Sequence, residues 1–356
     1  MVVRLLTAAL AALALAVPAG AHAAAPAGFY GTNWDREITE APDFVQDAAF
    51  RQMRRTGVET VRTSFRWDLA QPAEGAEFDH SATDALVARA SRRGLRLLPI
   101  VIVAPRWARV SDETFAPPRR PREYAAYLTA LIGRYGPDGT FWNERPELPR
   151  LHIRAWQIWN EPHLPFQWTV GPDADWAQGY ARLLRAAYRA VKNADAAALV
   201  VLAGLTNYSP RYLRDLYRAG VRGDFDVGAI HPFTRKPRNV LELARRFRRV
   251  MRKHGDGQNR LWATELGLPA ARGRADSDSP LQTTDRGMAR FLTKAFGLLR
   301  RTARDRAAGV TRAYWYTWAS SYSGEIFGYS GLFRYRPGDR PESRRAWRAY
   351  RRVAGD

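Results

Sequence analysis

The sequence contains no cysteine. That single absence excludes disulfides, zinc–thiolate sites, iron–sulfur clusters and a cysteine nucleophile. Histidine is scarce, at His22, His80, His152, His163, His231 and His254. No two of these have the i, i+4 helical spacing of a zinc protease, so no catalytic metal is expected. There is no Gly-x-Ser-x-Gly elbow, no phosphate loop and no dinucleotide fingerprint. An α/β-hydrolase and a nucleotide-dependent enzyme are therefore disfavoured, and no cofactor is implied. Outside the N-terminus no apolar run is long enough to span a bilayer.

Lysine is nearly missing too, occurring only as Lys192, Lys236, Lys253 and Lys294, yet the chain is strongly basic. Lys and Arg total 56 against 35 Asp and Glu, a net charge of +21, and almost all of it is arginine. The densest cluster is Arg245, Arg246, Arg248, Arg249, Arg252 and Lys253. Leu241, Ala244, Phe247, Val250 and Met251 interleave with it at helical spacing. This predicts a helix with a core-facing stripe and a solvated arginine face. The sharper reading is a patch for an anionic cell-surface polymer. No zinc-finger spacing, RNA-recognition signature or separate basic arm is present, so nucleic acid is not an expected partner.

The N-terminus reads as an address. Arg4 precedes an apolar stretch from Leu5 to Val17, then Pro18, Gly20 and the small-x-small triplet Ala21-His22-Ala23. The pattern predicts a signal peptide over 1–23, cleavage after Ala23, and a secreted chain with no membrane span left. Residues 24–356 then form the mature chain. With 46% hydrophobic residues and 12 Trp, 15 Tyr and 15 Phe, it has the means to build a large core without disulfides.

Strand-like runs alternate with helical ones along that chain. Short apolar, β-prone segments lie at 29–33, 60–65, 95–103, 155–159, 199–204, 226–230, 261–264 and 313–317. Helical periodicity falls near 43–56, 79–93, 121–135, 173–193, 209–219, 238–254, 283–301 and 342–352, with Asp173 and Asp175 as capping residues for the fourth. Eight strand–helix alternations without a composition break predict an α/β protein, a single-domain (β/α)8 TIM barrel.

In such a barrel chemistry sits at the C-terminal strand ends. Strand 4 ends in Trp159-Asn160-Glu161-Pro162, strand 6 in His231-Pro232-Phe233 and strand 7 in Thr264-Glu265-Leu266-Gly267, while Arg62 lies on strand 2. The run Trp156-Gln157-Ile158-Trp159-Asn160-Glu161-Pro162, with Arg62 before it and Thr264-Glu265-Leu266-Gly267 after it, resembles the clan A retaining glycoside hydrolases. Within that clan it is most similar to the family 39 and family 5 enzymes. Tyr135-Gly136, Phe141-Trp142 and Gly331-Leu332-Phe333 extend the resemblance over most of the mature chain.

The resemblance implies Glu161 as acid/base and Glu265 as nucleophile. A retaining glycosidase needs two carboxyl groups about 5–5.5 Å apart, one ionised and one protonated. Arg62 beside Glu265 favours its carboxylate, and mutual repulsion then keeps the proton on Glu161. Asn160 is similar to the clan's amide that donates to the sugar 2-hydroxyl. His231 matches the clan's His-x-Tyr region, but Phe233 stands where the tyrosine belongs, leaving Tyr208 and Tyr316 as candidate substitutes. Trp318 is expected as the platform under the sugar, and Trp34 as a further substrate contact. The loops 104–120 and 266–281 are the freest, and the second is expected to shape one rim of the cleft. The expected activity is cleavage of a β-linked oligo- or polysaccharide. A transglycosylase on the same site and a non-catalytic carbohydrate or cell-surface binding barrel are the alternatives.

Overall fold

Each of the eight apolar runs is a strand in the computed structural model, which describes residues 25–170 and 175–355. The expected signal peptide and the proposed cap Asp173 lie outside the described residues. The strands are β1 (Tyr30–Trp34), β2 (Thr60–Arg66), β3 (Arg96–Ile102), β4 (Ala155–Ile158), β5 (Leu199–Val201), β6 (Val227–Ile230), β7 (Arg260–Leu266) and β8 (Val310–Trp315). They pair in parallel in sequence order, and β8 returns to β1 to close the barrel. Strands 4 and 5 are shorter than their apolar runs, because the chain leaves the sheet early to build the loops above it.

The main outer helices are α1 (Asp43–Thr56), α2 (Ser81–Ser91), α3 (Pro121–Tyr135), α4 (Trp176–Ala194), α5 (Ser209–Arg218), α6 (Pro237–Lys253), α7 (Asp285–Thr302) and α8 (Arg345–Gly355). Sequence signals account for their ends. The Asp175 carboxylate accepts from the backbone N–H of Ala177 at 2.8 Å and so caps α4. Gly57 closes α1 with φ of 90°, a left-handed turn that costs glycine little. Arg89 ties α2 to α1, donating to Asp47 at 2.7 Å and Asp43 at 2.8 Å.

Inside the barrel the packing has two levels. The lower one is apolar: Leu98, Ala155, Val201, Val227, Ala229, Trp262 and Tyr314 form one buried cluster. The upper one, at the C-terminal strand ends, is polar. Strand alternation explains the change, because residues two apart share a face. Val227 and Ala229 lead to His231, and Tyr314 leads to Tyr316.

Beyond β8 the chain forms a small three-stranded sheet that the sequence reading did not anticipate. Phe333–Arg334 sits between Ala319–Ser320 and Glu342–Ser343. It lies between β8 and α8 in sequence and covers the region around Trp318.

Candidate active site

Two departures from regular backbone aim the key carboxyls. On β7 three steps from Ala263 to Leu266 are matched by only two on β8, from Ala313 to Trp315. This irregularity is a β-bulge, which re-aims the side chains next to it. Thr264 continues the inward face begun by Trp262, and Glu265, which strict alternation would turn outward, also reaches the barrel mouth. After β4 the backbone becomes left-handed at Trp159, with φ of 64°, and again at Glu161, with φ of 43°. Such positions cost of order 1–3 kcal/mol each. Here they bring Asn160 and Glu161 over the same opening.

Arg62 organises the floor of the site. Its Nη1 donates to Glu265 Oε1 at 2.7 Å and to Asn33 Oδ1 at 2.7 Å. Its Nε donates to Gln157 Oε1 at 2.6 Å, and its Nη2 to Asn160 Oδ1 at 2.7 Å. The guanidinium is buried and satisfied by one charge and three neutral amides. Because Asn160 accepts through Oδ1, its NH2 is the group left to donate to a ligand. Across the mouth His231, fully buried, lies with Nδ1 at 2.5 Å from Glu161 Oε1.

The network favours one placement of the hydrogen on His231. Gln157 accepts from Arg62 through Oε1, so its Nε2 is the donor, to Leu202 O at 3.1 Å and to Thr264 Oγ1 at 3.4 Å. The Thr264 hydroxyl, 3.0 Å from His231 Nε2, is then free to donate to it. His231 is held neutral, its pKa lowered by burial to about 3. With Thr264 donating to Nε2, its one N–H is Nδ1–H, which donates to Glu161 Oε1. A proton on Glu161 then belongs on Oε2. Gly204 makes room for this ring, since a Cβ there would lie 1.8 Å from His231 Nε2.

Burial pushes the Glu161 carboxyl up to about 7, against the opposing pull of Arg62. Burial raises Glu265 as well, but the Arg62 guanidinium in direct contact works against that rise. Of the two, Glu265 has the fixed counter-charge and is the one built to ionise first. The carboxyls are close: an oxygen of each, together with a His231 nitrogen, lies within a mutual 4.8 Å. Such a trio is a metal-ligand type of set, but its parts are engaged otherwise. His231 Nδ1 carries hydrogen rather than a lone pair, and Arg62 places a fixed cation against Glu265, which opposes a second one.

The two carboxyls open into a cavity of about 520 Å³. Asn33, Asp35, Arg36, Ser64, Thr206 and Glu325 add polar lining, and Phe115, Phe166, Phe233, Tyr316 and Phe327 add aromatic faces. Among the described residues its two lining arginines are both paired: Arg62 with Glu265, and Arg36 with Glu325 at 2.7 Å.

No family model matches the chain, and no curated protein matches its sequence. Solved structures do match its shape. A family 39 glycoside hydrolase from the gut symbiont Bacteroides cellulosilyticus WH2 aligns at TM-score 0.67 and 17% identity, over 93% of this chain and 64% of that one. A monomeric beta-xylosidase from Caulobacter crescentus CB15 aligns at 0.66 and 17%, over 92% and 69%. An endoglucanase from Pseudomonas stutzeri aligns at 0.59 and 14%, over 93% and 95%. The chain shares its barrel with these glycoside hydrolases. It spans just under two thirds of the length of the first and nearly all of the third, and at such identities the likeness is one of fold.

The structure thus brings together Arg62, Asn160, Glu161, His231 and Glu265, which lie far apart in sequence. It does not bring Trp318 with them. That ring is 1% exposed and packs on Phe333 of the small sheet, with centroids 4.9 Å apart. A side chain sealed in the core cannot carry a sugar. Trp34 borders the cavity but is only 2% exposed and stands edge-on to Phe50 at 4.9 Å, so it shapes the wall rather than offering a face. The aromatic that does line the cavity is Tyr316, the first residue past β8, as the period of two from Tyr314 requires.

Phe233 packs against Phe327 at 4.9 Å and Tyr316 at 6.1 Å. Tyr208 is exposed and sits beside Tyr212. The Tyr316 hydroxyl accepts from Arg36 Nε at 3.1 Å, and among the described residues no tyrosine is hydrogen-bonded to Glu265. The rim also differs from expectation. No residue of 267–281 lines the cavity. The loop after β4 supplies Leu164, Phe166 and Gln167, and that after β8 supplies Glu325 and Phe327.

A pH signature follows from these environments. As a general acid Glu161 would need its proton, so on that role kcat/KM for a glycoside with a poor leaving group should fall as pH rises through about 7. Glu161→Gln should erase that limb. The sign carries over to stability. A folded pKa of about 7 against an ordinary 4.5 stabilises fully at low pH, and the contribution is lost as pH rises through about 7. A profile flat from slightly acidic to alkaline pH would contradict the assignment.

Proposed function

We propose that the protein is a retaining glycoside hydrolase acting on a β-linked oligo- or polysaccharide. The observation that carries this reading is the pair of buried carboxyls at the ends of β4 and β7, an oxygen of each within 4.8 Å of the other, one against an arginine and the other against a neutral histidine. That spacing suits direct attack on carbon; inverting enzymes hold their carboxyls about 6.5–9.5 Å apart to admit a water.

The steps use groups already described. Glu265 attacks the anomeric carbon as the glycosidic C–O bond breaks, while the proton on Glu161 Oε2 moves to the leaving oxygen. His231 Nδ1–H then steadies the Glu161 carboxylate so formed. Next, water gives its proton to Glu161 and its oxygen to the anomeric carbon, displacing Glu265. Both residues return to their starting states, and two inversions amount to retention. The Asn160 NH2 is free to bond the sugar 2-hydroxyl, an interaction that strengthens in the transition state. Aromatic faces from Tyr316, Phe166 and Phe327 suit the C–H faces of sugar rings. With Arg36 and Arg62 both paired, the cavity suits a neutral sugar better than an acidic one. Export is part of the proposal, supported by the signal-like segment 1–23.

The test is hydrolysis of aryl β-glycosides followed by proton NMR. The first-formed sugar should be the β anomer. An α anomer as first product would remove the double displacement. Sugar binding without any turnover would favour the binding barrel, and transfer to added alcohol in preference to water would favour the transglycosylase.

A further inference from the structure

The arginine cluster most visible in sequence is not the one most free to bind. On α6, Arg248 is buried and donates to backbone carbonyls of Gly257 at 3.2 Å and Gly309 at 3.4 Å. Arg252 donates to the carbonyl of Arg306, and Arg246 pairs with Glu242 at 2.9 Å. Several of this helix's cations are therefore occupied by the fold itself.

A denser array comes from two segments that are far apart in sequence. Helices α7 and α8 flank a groove of about 410 Å³ lined by Arg286, Arg290 and Lys294 on one side and Arg345, Arg348 and Arg352 on the other. Only Ala289 and Thr293 complete the lining, and no acidic residue contributes. All six cations are exposed. Among the described residues none of their side chains makes an ion pair or a hydrogen bond. The nearest acids in sequence are engaged elsewhere: Asp285 with Arg274 at 2.6 Å and Arg344 at 3.0 Å, and Glu342 with Arg344 at 3.3 Å. Along α7 the cations recur every four residues, about 6 Å of rise, so each row runs for roughly 10–12 Å. Like charges at this spacing repel one another, each pair costing a few tenths of a kcal/mol.

We propose that the α7–α8 groove binds a linear polyanion, and specifically a carboxylate-bearing polysaccharide, at a site separate from the catalytic cavity. Two facing rows of cations match a chain of repeated negative charge. Five of the six are arginines, whose planar fork fits a carboxylate through two hydrogen bonds. The groove has no aromatic lining on which nucleic-acid bases could stack. It is concave, and none of the exposed large apolar side chains, such as Phe44, Leu69 and Phe166, belongs to it, which disfavours a bilayer surface. The choice of a polysaccharide among polyanions rests on the glycosidase reading. The cavity, with its arginines paired, would cut a neutral glycoside while the groove holds the enzyme on an acidic matrix.

The experiment is calorimetric titration of the full chain with polygalacturonate, with poly-uridylate and anionic phosphatidylglycerol vesicles as parallel arms. Polygalacturonate should bind, and raising salt from roughly 0.05 to 0.5 M should weaken it at least about tenfold. The triple variant Arg290→Glu, Arg348→Glu, Arg352→Glu should lose at least about tenfold in affinity and keep wild-type turnover of a small aryl glycoside. Arg290→Gln with Arg348→Gln should give an intermediate loss, and its unfolding temperature should not fall, since it removes only repulsion. No binding, equal binding by wild type and triple variant, or a variant-sensitive preference for RNA or vesicles would overturn the proposal. Binding is read without turnover, so polyuronate binding in a protein that cleaves no glycoside would keep the groove and remove the hydrolase.

Discussion

Replacing Glu265 with alanine should lower kcat by at least about 10⁴-fold and leave sugar affinity close to wild type. The expectation follows from what each neighbour can still do. Glu161 keeps its histidine and its burial, so it can still protonate a leaving group. Asn160 and the aromatic walls remain in place to hold a sugar. What disappears is the atom proposed to bond to carbon. Arg62 loses its one charged partner but keeps Asn33, Gln157 and Asn160 as acceptors, so its guanidinium is not stranded. A second measurement makes the role specific. A small anion such as formate or azide, added in excess, can enter the space left by the carboxylate. Attack from that face should restore part of the rate on an activated aryl glycoside, and with azide should yield the α-glycosyl azide. Activity of the alanine variant within about tenfold of wild type would mean that Glu265 is not the nucleophile.

Much of this site was legible because barrel geometry converts order into place. Once eight strands alternate with helices, a polar residue just past an apolar strand must lie at the mouth. Glu161 and Glu265 were found in this way, and Arg62 fell on a strand whose inward face was countable. What escaped was anything set by a local break in the period. Glu265 was named, but not the bulge on β7 that it needs, without which strict alternation would turn it out. Trp318 looked like a platform because it follows β8. However, the chain leaves the barrel after Tyr316 and folds Trp318 under the small sheet. Asn33 was missed although Gly31, two residues earlier, marks the inward face of β1: a Cβ at Gly31 would meet Tyr314 at 2.4 Å. The α7–α8 groove was invisible for another reason. Its two rows lie on segments about fifty residues apart, and no sequence window contains both.

Arg62→Met should destabilise the protein by about 3–5 kcal/mol in urea unfolding, because it leaves a buried carboxylate without its counter-charge. Glu265 contacts Arg62 at 2.7 Å, while its other oxygen has only the neutral His231 ring at 3.7 Å. Gln157, Asn33 and Asn160 would each lose their donor at the same moment. The remaining carboxyl should take up a proton at higher pH than before, so the acid limb of the rate profile should move upward and kcat fall with it. A merely structural arginine would not move that limb. The double variant Arg62→Met, Glu265→Leu separates the two effects. Removing both charges replaces a stranded ion with an apolar contact, so it should be more stable than Arg62→Met alone while remaining inactive. If the single and double variants lose the same stability, the pair is not the electrostatic unit described here. If Arg62→Met keeps a wild-type acid limb, the ionisation of Glu265 is controlled by some other group, and the division of labour between the two carboxyls loses its physical cause.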